Sequence, residues 1–317
     1  MTENEVEIVE VGPRDGLQNI AKYVPTAVKI DLIRQLAGAG FTRMEFGSFV
    51  SPKAIPQMKD MEAVLEGLPP MPGVTGMTLV PNSKGAQRAL AAGVKDLIFV
   101  MSVSEPHNQS NVRRPTEASI ADFKATLEEI DPLGELTIRV GLATCFHCPF
   151  DGVIDEDKVI STIEKIVPIR EGMEYAISDT TGMATPAHVK SLTKRCIDTF
   201  GGSARFCFHG HDTAGFGIAN VLAAMEGGIR SFDTSVAGLG GCPFAPGATG
   251  NIPSEDVVYL FQRLGVTTGI DLEKLLDAGT MILAESGAPM ASHVRAIPRA
   301  RLFADLLGIP PSRAVAA

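Results

Sequence analysis

The chain has 317 residues, 45% hydrophobic and 21% charged, with a mean hydropathy of +0.15 and a formal charge of −9. That length can bury a core of barrel size, and the acidic balance argues against a nucleic-acid or anionic-membrane partner. No apolar run approaches the roughly 18 residues of a membrane span. Residues 1–5 are acidic and lack a secretion signal's basic and apolar regions. Five cysteines are an odd count in a long chain, which speaks against a disulfide framework. The expectation is a soluble, cytoplasmic protein.

In chain order, residues 6–11 read as a strand by their β-branched content and are followed by Gly12-Pro13-Arg14-Asp15-Gly16-Leu17-Gln18. Residues 26–36 then carry apolar positions at helical spacing behind a Thr cap and stop at Gly38-Ala39-Gly40. The alternation repeats, with strands predicted at 43–46, 76–80, 96–101, 136–142, 175–178, 205–209 and 231–235. Helices are predicted at 58–68, 84–92, 120–130, 156–167, 186–200, 217–226 and 254–264. Eight strand–helix units imply a parallel sheet and favour a closed (β/α)8 TIM barrel over an open doubly wound sheet. The open sheet would want Gly-x-Gly-x-x-Gly after an early strand, where this chain has Gly-Pro-Arg-Asp-Gly. The expected division is a catalytic barrel over 1–279, then a helical extension over 280–317 packed on it, with a frayed tail from Pro310.

Such a barrel places functional residues at the C-terminal ends of its strands. Arg14 and Asp15 follow the first strand, Glu45 lies in the second, Asp179 follows the sixth, and His209 and His211 end the seventh. In an extended strand, positions i and i+2 share a face, about 6–7 Å apart at ~3.3 Å rise per residue. His209 and His211 therefore project together, and with Asp15 they would form an N,N,O set able to hold a divalent cation with open positions. Asp15 in Asp-Gly is otherwise a turn former. Behind the eighth strand, Gly238-Leu239-Gly240-Gly241-Cys242-Pro243-Phe244-Ala245-Pro246-Gly247 supplies backbone that can approach a ligand closely, with one cysteine in its midst. Asn251 either caps the following helix or serves as a ligand. Cys145-Phe146-His147-Cys148 lacks the second ligand pair that a zinc site needs.

On Val11-Gly12-Pro13-Arg14-Asp15-Gly16-Leu17-Gln18-Asn19, Ser48-Phe49-Val50-Ser51-Pro52-Lys53, His209-Gly210-His211-Asp212-Thr213 and the Cys242 loop, the sequence resembles the 3-hydroxy-3-methylglutaryl-CoA lyases. These belong to the DRE-TIM metallolyases, and the resemblance spans roughly residues 6–279. It implies a (β/α)8 barrel, Mg2+ or Mn2+, and cleavage of an acyl-CoA to acetyl-CoA and acetoacetate. It implies Asp15, His209 and His211 as metal ligands, with Asn251 a further one. Arg14 matches the arginine that stabilises the enolate oxygen, and Cys242 matches the catalytic cysteine of a loop bearing Gly240, Gly241 and Gly247. Glu45 and Asp179 match supporting acids, and Gln18 is an expected substrate contact. The group that removes the hydroxyl proton, Asp15, His209 or a water, stays open. The expected assembly is a homodimer, with no nucleic-acid or membrane partner.

The chain also departs from the family pattern. Ala143-Thr144-Cys145 stands where Ser-Cys is usual, Ser178-Asp179-Thr180-Thr181-Gly182 where Gly-Asp-Thr-Ile-Gly is usual, and Ala21 where a lysine falls, with Lys22 adjacent. Asn111-Val112-Arg113-Arg114 replaces Asn-x-Asn. Asn111, Arg113 and Arg114 are therefore expected to meet a substrate carboxylate or a CoA phosphate, since arginine suits bidentate contacts; the alternative is a pair of solvated loop charges. These departures keep the bond-breaking groups and alter the rim, which leaves citramalyl-CoA or a longer branched 3-hydroxyglutaryl-CoA as alternative substrates. A Claisen-condensing synthase is the remaining alternative.

Overall fold

The computed structural model describes residues 4–240 and 250–309. Eight parallel strands close on themselves: β1 (Glu7–Glu10), β2 (Arg43–Ser48), β3 (Thr75–Leu79), β4 (Asp96–Ser102), β5 (Thr137–Ala143), β6 (Glu174–Asp179), β7 (Arg205–Gly210) and β8 (Ser231–Thr234). Each strand pairs with its sequence neighbours, and β1 closes the barrel against β8 with Glu7 opposite Ser231 and Glu10 opposite Thr234. The expected (β/α)8 barrel is the observed fold.

The helices between strands are α1 (Thr26–Gly38), α2 (Met61–Gly67), α3 (Ser83–Ala91), α4 (Glu105–Val112), α5 (Thr116–Ile130), α6 (Glu156–Ile166), α7 (Pro186–Phe200), α8 (Gly217–Glu226) and α9 (Ser254–Arg263). Their apolar faces and the outward residues of the strands form one continuous core, in which Leu32, Phe41, Val140, Val189, Phe232 and Phe261 are fully buried. A smaller cluster, Val9, Val11, Met77 and Ile98, forms separately. Two added elements stand beyond the sequence reading. Helix α4 is capped by Ser104, whose hydroxyl accepts the His107 N–H at 3.3 Å. A short hairpin, His147–Cys148 with Gly152–Val153, follows β5.

After the barrel come α10 (Leu272–Ser286) and α11 (Arg299–Leu306). Asp271 caps α10 by accepting the N–H groups of Glu273 and Lys274. This helix packs on α1 and runs continuously through residue 279. The tail from Pro310 lies outside the described residues.

Candidate active site

The first strand delivers its polar residues through an unusually wide turn. Between 12 and 16 the chain forms one π-helical turn in which the Val11 carbonyl accepts N–H groups from Asp15 at 2.8 Å and from Arg14 and Gly16 at 3.2 Å. Such turns are rare and recur at functional sites. Pro13 near its start sacrifices no hydrogen bond, because a helix's first N–H groups have no internal partner. Gly16 is required by close packing: a Cβ there would lie 2.8 Å from the Ser235 hydroxyl and 2.9 Å from Leu239 Cβ.

The turn aims Arg14 and Asp15 into the barrel mouth. Arg14 donates from Nε to Glu45 at 2.5 Å and from Nη1 to Asp15 at 2.6 Å. Asp15 also accepts from the amides of Gln18 at 2.6 Å and Asn251 at 2.8 Å. Burial alone would raise the Asp15 carboxyl, but Arg14, His209, His211 and the Asn251 amide outweigh it and bring it down to about 2. Asp15 is therefore an anion at neutral pH.

His209 and His211 face Asp15 together, as their spacing predicts. Their ring centroids are 5.4 Å apart, and each Nε2 lies 4.0 Å from Asp15 Oδ2. One ligand atom from each of the three residues fits within a 4.8 Å span. Behind His209, Nδ1 meets Asp233 Oδ2 at 3.1 Å, which leaves Nε2 for the mouth. Burial lowers the His209 pKa, yet the hydrogen bond and charge of Asp233, with Asp15, raise it overall. Burial and His209 push His211 down to about 4, so it is neutral and free to ligate at pH 7.

A divalent cation fits this donor set. Two ligands at 2.0–2.2 Å from one ion stand at most about 4.4 Å apart; the two histidine–aspartate separations of 4.0 Å lie inside that limit, and all three ligand atoms lie within 4.8 Å of one another. The surroundings favour positive charge as well. Four buried carboxylates, Asp15, Glu45, Glu174 and Asp233, face three buried arginines, Arg14, Arg43 and Arg139.

Asn251 is held beside the triad by backbone pairing: it forms an antiparallel bridge with His211, and Ile252 N–H donates to the Gly210 carbonyl at 3.1 Å. Its Nδ2 spans Asp15 and the Leu239 carbonyl, the latter at 3.1 Å. Asn251 thus packs on the triad, with its amide NH2 turned to Asp15. Gly240 approaches it so closely, at φ +119°, that a Cβ would sit 2.5 Å from that nitrogen. Residues Gly241, Cys242 and Gly247 lie outside the described residues.

The remaining expected positions divide. Glu45 sits at the triad through Arg14. Asp179 is fully buried, and its oxygens accept the N–H groups of Met183 at 3.1 Å and Ala184 at 3.0 Å in its own loop. Burial raises this carboxyl to about 6 against those bonds. Asn111, Arg113 and Arg114 stand at the end of α4 and the turn after it, where Arg113 adopts a left-handed φ of 58°. Arg114 pairs with Asp122 at 2.5 Å. Cys145 and Cys148 are buried and donate to the Leu142 carbonyl and the Ser104 hydroxyl.

Four buried charged neighbours of the site are not marked by the sequence reading: Asp233, Arg139, Glu10 and Glu255. The available signal was a charge inside an apolar strand, as in Thr137-Ile138-Arg139-Val140 and Ser231-Phe232-Asp233-Thr234. Glu10 Oε1 accepts the N–H groups of Gly12 at 2.8 Å and Val236 at 2.9 Å, and Glu255 accepts that of Ala237 at 2.9 Å. Two buried carboxyl groups therefore grip consecutive residues where the loop after β8 begins.

Among the described residues a cleft of about 940 Å³ opens from Asn251 and Gly240 outward. Ala21 and Lys22 line one side and Pro289 and Met290 another. Lys22 reaches across to the Glu285 carbonyl at 2.5 Å.

Sequence comparison matches residues 5–282 to the HMGL-like family. The chain belongs to that family. Human mitochondrial hydroxymethylglutaryl-CoA lyase is 41% identical over 289 residues, covering 91% of this chain and 88% of that protein. The (R)-citramalyl-CoA lyase of Chloroflexus aurantiacus is 40% identical over 299 residues, covering 91% and 93%. A solved HMG-CoA lyase from Acinetobacter baumannii, in complex with coenzyme A and 3-methylmalate, has a TM-score of 0.87 at 40% identity and covers 94% of this chain and 97% of its own. The HMGL-like match spans every strand of the barrel and both histidines.

Proposed function

We infer that this HMGL-like protein is a divalent-metal-dependent lyase that cleaves 3-hydroxy-3-methylglutaryl-CoA to acetyl-CoA and acetoacetate. The observation that carries the reading is the convergence of Asp15, His209 and His211 within 4.8 Å, directly beside Arg14. The reaction removes the proton of the tertiary hydroxyl, turns that C–O bond into a ketone, and breaks the neighbouring carbon–carbon bond. The electron pair passes to the thioester enolate, which then takes a proton on carbon.

Mg2+ or Mn2+ held by Asp15, His209 and His211 would acidify and orient the substrate's hydroxyl. Arg14 stabilises the developing enolate: its charge is locked by Glu45 and Asp15, and Nη2 is the nitrogen that neither carboxylate engages. A fixed guanidinium in a water-poor site counts for more than one in solution. Asn251 and Gln18 hold Asp15 in place through its two oxygens. Cys242 is assigned the proton delivered to the enolate carbon, and Asp179 the shaping of the loop after β6. The cleft beside Asn251 is assigned to the acyl-CoA. Arg113 and Arg114 are assigned an outer contact with its anionic groups, for which Arg114 must exchange Asp122.

The resemblance to a citramalyl-CoA lyase, at an identity close to that of the human enzyme, favours one second reading: the same cleavage on citramalyl-CoA, giving acetyl-CoA and pyruvate. Acetyl-CoA release from a panel of 3-hydroxyacyl-CoA thioesters, with Mg2+ or Mn2+, tests both. Release from the hydroxymethylglutaryl thioester at the highest kcat/KM supports the first reading. Preference for citramalyl-CoA selects the second, and release from neither, with either metal, refutes both.

A further inference from the structure

The barrel interior holds a buried cation that the proposed chemistry leaves unused. Arg139 on β5 is 2% exposed, and its guanidinium is divided among carboxylates from three other strands. Nη2 donates to Asp233 Oδ1 on β8 at 2.6 Å, while Nε, 3.2 Å from Glu174 Oε2 on β6, and Nη1, 3.7 Å from Glu45 Oε1 on β2, make ion-pair contacts without a hydrogen bond. Desolvating a guanidinium costs several kcal/mol, and an apolar side chain would fill the same volume without that cost.

Each of these carboxylates faces a second partner. Glu174 also accepts from Arg43 at 2.8 Å, which anchors the network within the barrel. Asp233 turns its other oxygen to His209 Nδ1 at 3.1 Å, and Glu45 turns its other oxygen to Arg14 Nε at 2.5 Å. One guanidinium therefore stands a single carboxylate away from both halves of the site.

The chemistry of the histidine link is specific. A neutral imidazole carries its proton on either nitrogen, and an ionised carboxylate only accepts. Asp233 therefore draws the proton to Nδ1 and leaves the Nε2 lone pair facing Asp15, the tautomer a metal ligand needs. Oδ1 of Asp233 is pinned by Arg139 and by the Cys207 thiol at 3.1 Å, which keeps Oδ2 on the histidine.

We propose that Arg139 is a positioning residue for both halves of the site: through Asp233 it fixes the tautomer and bearing of His209, and through Glu45 it fixes the bearing of Arg14. The proposal rests on the metal-dependent reading of the site. It is tested with Arg139→Gln, Asp233→Asn and Glu45→Gln in the full-length protein. The readouts are Mn2+ affinity by calorimetry, the His209 tautomer by 15N NMR of the metal-free protein, and the separate values of kcat and KM.

Arg139→Gln should weaken Mn2+ binding about 10–100-fold, the usual cost of losing a group behind a metal ligand. It should also give His209 a mixture of tautomers and lower kcat far more than it changes KM. Asp233→Asn should reproduce the metal and tautomer effects. Glu45→Gln should lower kcat with Mn2+ affinity close to wild type. Should Arg139→Gln not fold, the other two variants each test one branch. Wild-type Mn2+ affinity and an unmixed His209 tautomer in a folded Arg139→Gln or Asp233→Asn protein would overturn the proposal. A wild-type protein that binds no Mn2+ would instead remove the metal-dependent reading, and the tautomer measurement on the metal-free protein would still decide the role of Arg139.

Discussion

Glu10 gives the prediction with the clearest sign. Its carboxyl is fully buried at the end of β1, and burial raises it from 4.5 to about 8 against hydrogen bonds from Ser254, Val236 and Gly12. Between those two values the folded chain holds a proton that the unfolded chain has released, so stability falls as pH rises through this window. At roughly 1.4 kcal/mol per tenfold change, complete ionisation costs the folded state about 5 kcal/mol, an upper figure. Ser254 Oγ lies 2.6 Å from Glu10 Oε2 and 2.7 Å from Thr234 Oγ1, so a protonated Glu10 can donate to Ser254, which donates onward to Thr234. Glu10→Gln mimics that protonated acid. Thermal unfolding of both proteins from pH 5 to pH 9 should show similar stability at the acid end and an advantage for Glu10→Gln that grows as pH rises from about 5 and levels off above about 8. A variant that tracks the wild type throughout, or is the less stable at pH 9, would refute the burial argument.

Other perturbations separate the roles assigned above. His209→Ala should weaken Mn2+ binding by more than the roughly 10–100-fold typical of a group behind a ligand. Mn2+ at about 100 times its dissociation constant should stabilise the wild type by about 2.7 kcal/mol and leave this variant's melting temperature unmoved; an equal shift in both would place the ion elsewhere. Cys242→Ala should lower kcat by about 10²–10⁴, the range for a positioned proton-transfer group, with Mn2+ affinity retained. A normal rate would take the cysteine out of the mechanism. Gly240→Ala introduces a Cβ at φ +119° and 2.5 Å from the Asn251 amide. It should cost about 1–3 kcal/mol in backbone strain and lower kcat by displacing Asn251 from Asp15, so unchanged melting and turnover would contradict the packing described here.

The barrel was legible because two periodicities alternate. Helices α7 and α8 occur at the residues their apolar spacing marks, and β7 needs only one residue more than its predicted span. The histidine pair was legible because i and i+2 in a strand share a face, while Asp15 was named from its place after the first strand and from the family resemblance. Helix α4 escaped because Glu105-Pro106-His107-Asn108-Gln109 carries no apolar stripe; its cues, the Ser104 cap and Pro106 in the first turn, are local. The interior network escaped for a different reason. Arg139, Asp233 and Glu45 lie on three strands separated by long stretches of sequence, and only closure of the barrel brings their inward faces together. The pairing of Arg114 with Asp122 is local by contrast, and it depends on how the turn after α4 leads into the face of α5.

The layering of the site separates reaction from substrate. Arg14, Asp15, Glu45, Asp233 and His209 are fixed from inside the barrel by the turn after β1, by strand positions and by buried charges, so altering one of the ionised members leaves an uncompensated charge in a low-dielectric interior. Asn251 and Gly240 form the inner end of the cleft beside Asp15, while its outer walls include Ala21 and Met290, which carry no charge. On the proposed assignment of the cleft, a change there alters the volume and polarity offered to the acyl chain while Arg14 and the triad stay aligned. Two relatives named for different acyl-CoA substrates, at 41% and 40% identity to this chain, fit such a division. Selectivity between those substrates should therefore respond to Ala21→Lys, which places a cation in the cleft, as a change in relative kcat/KM with Mn2+ affinity preserved. A parallel loss of activity on both thioesters, together with weaker Mn2+ binding, would mean that rim and interior are coupled after all.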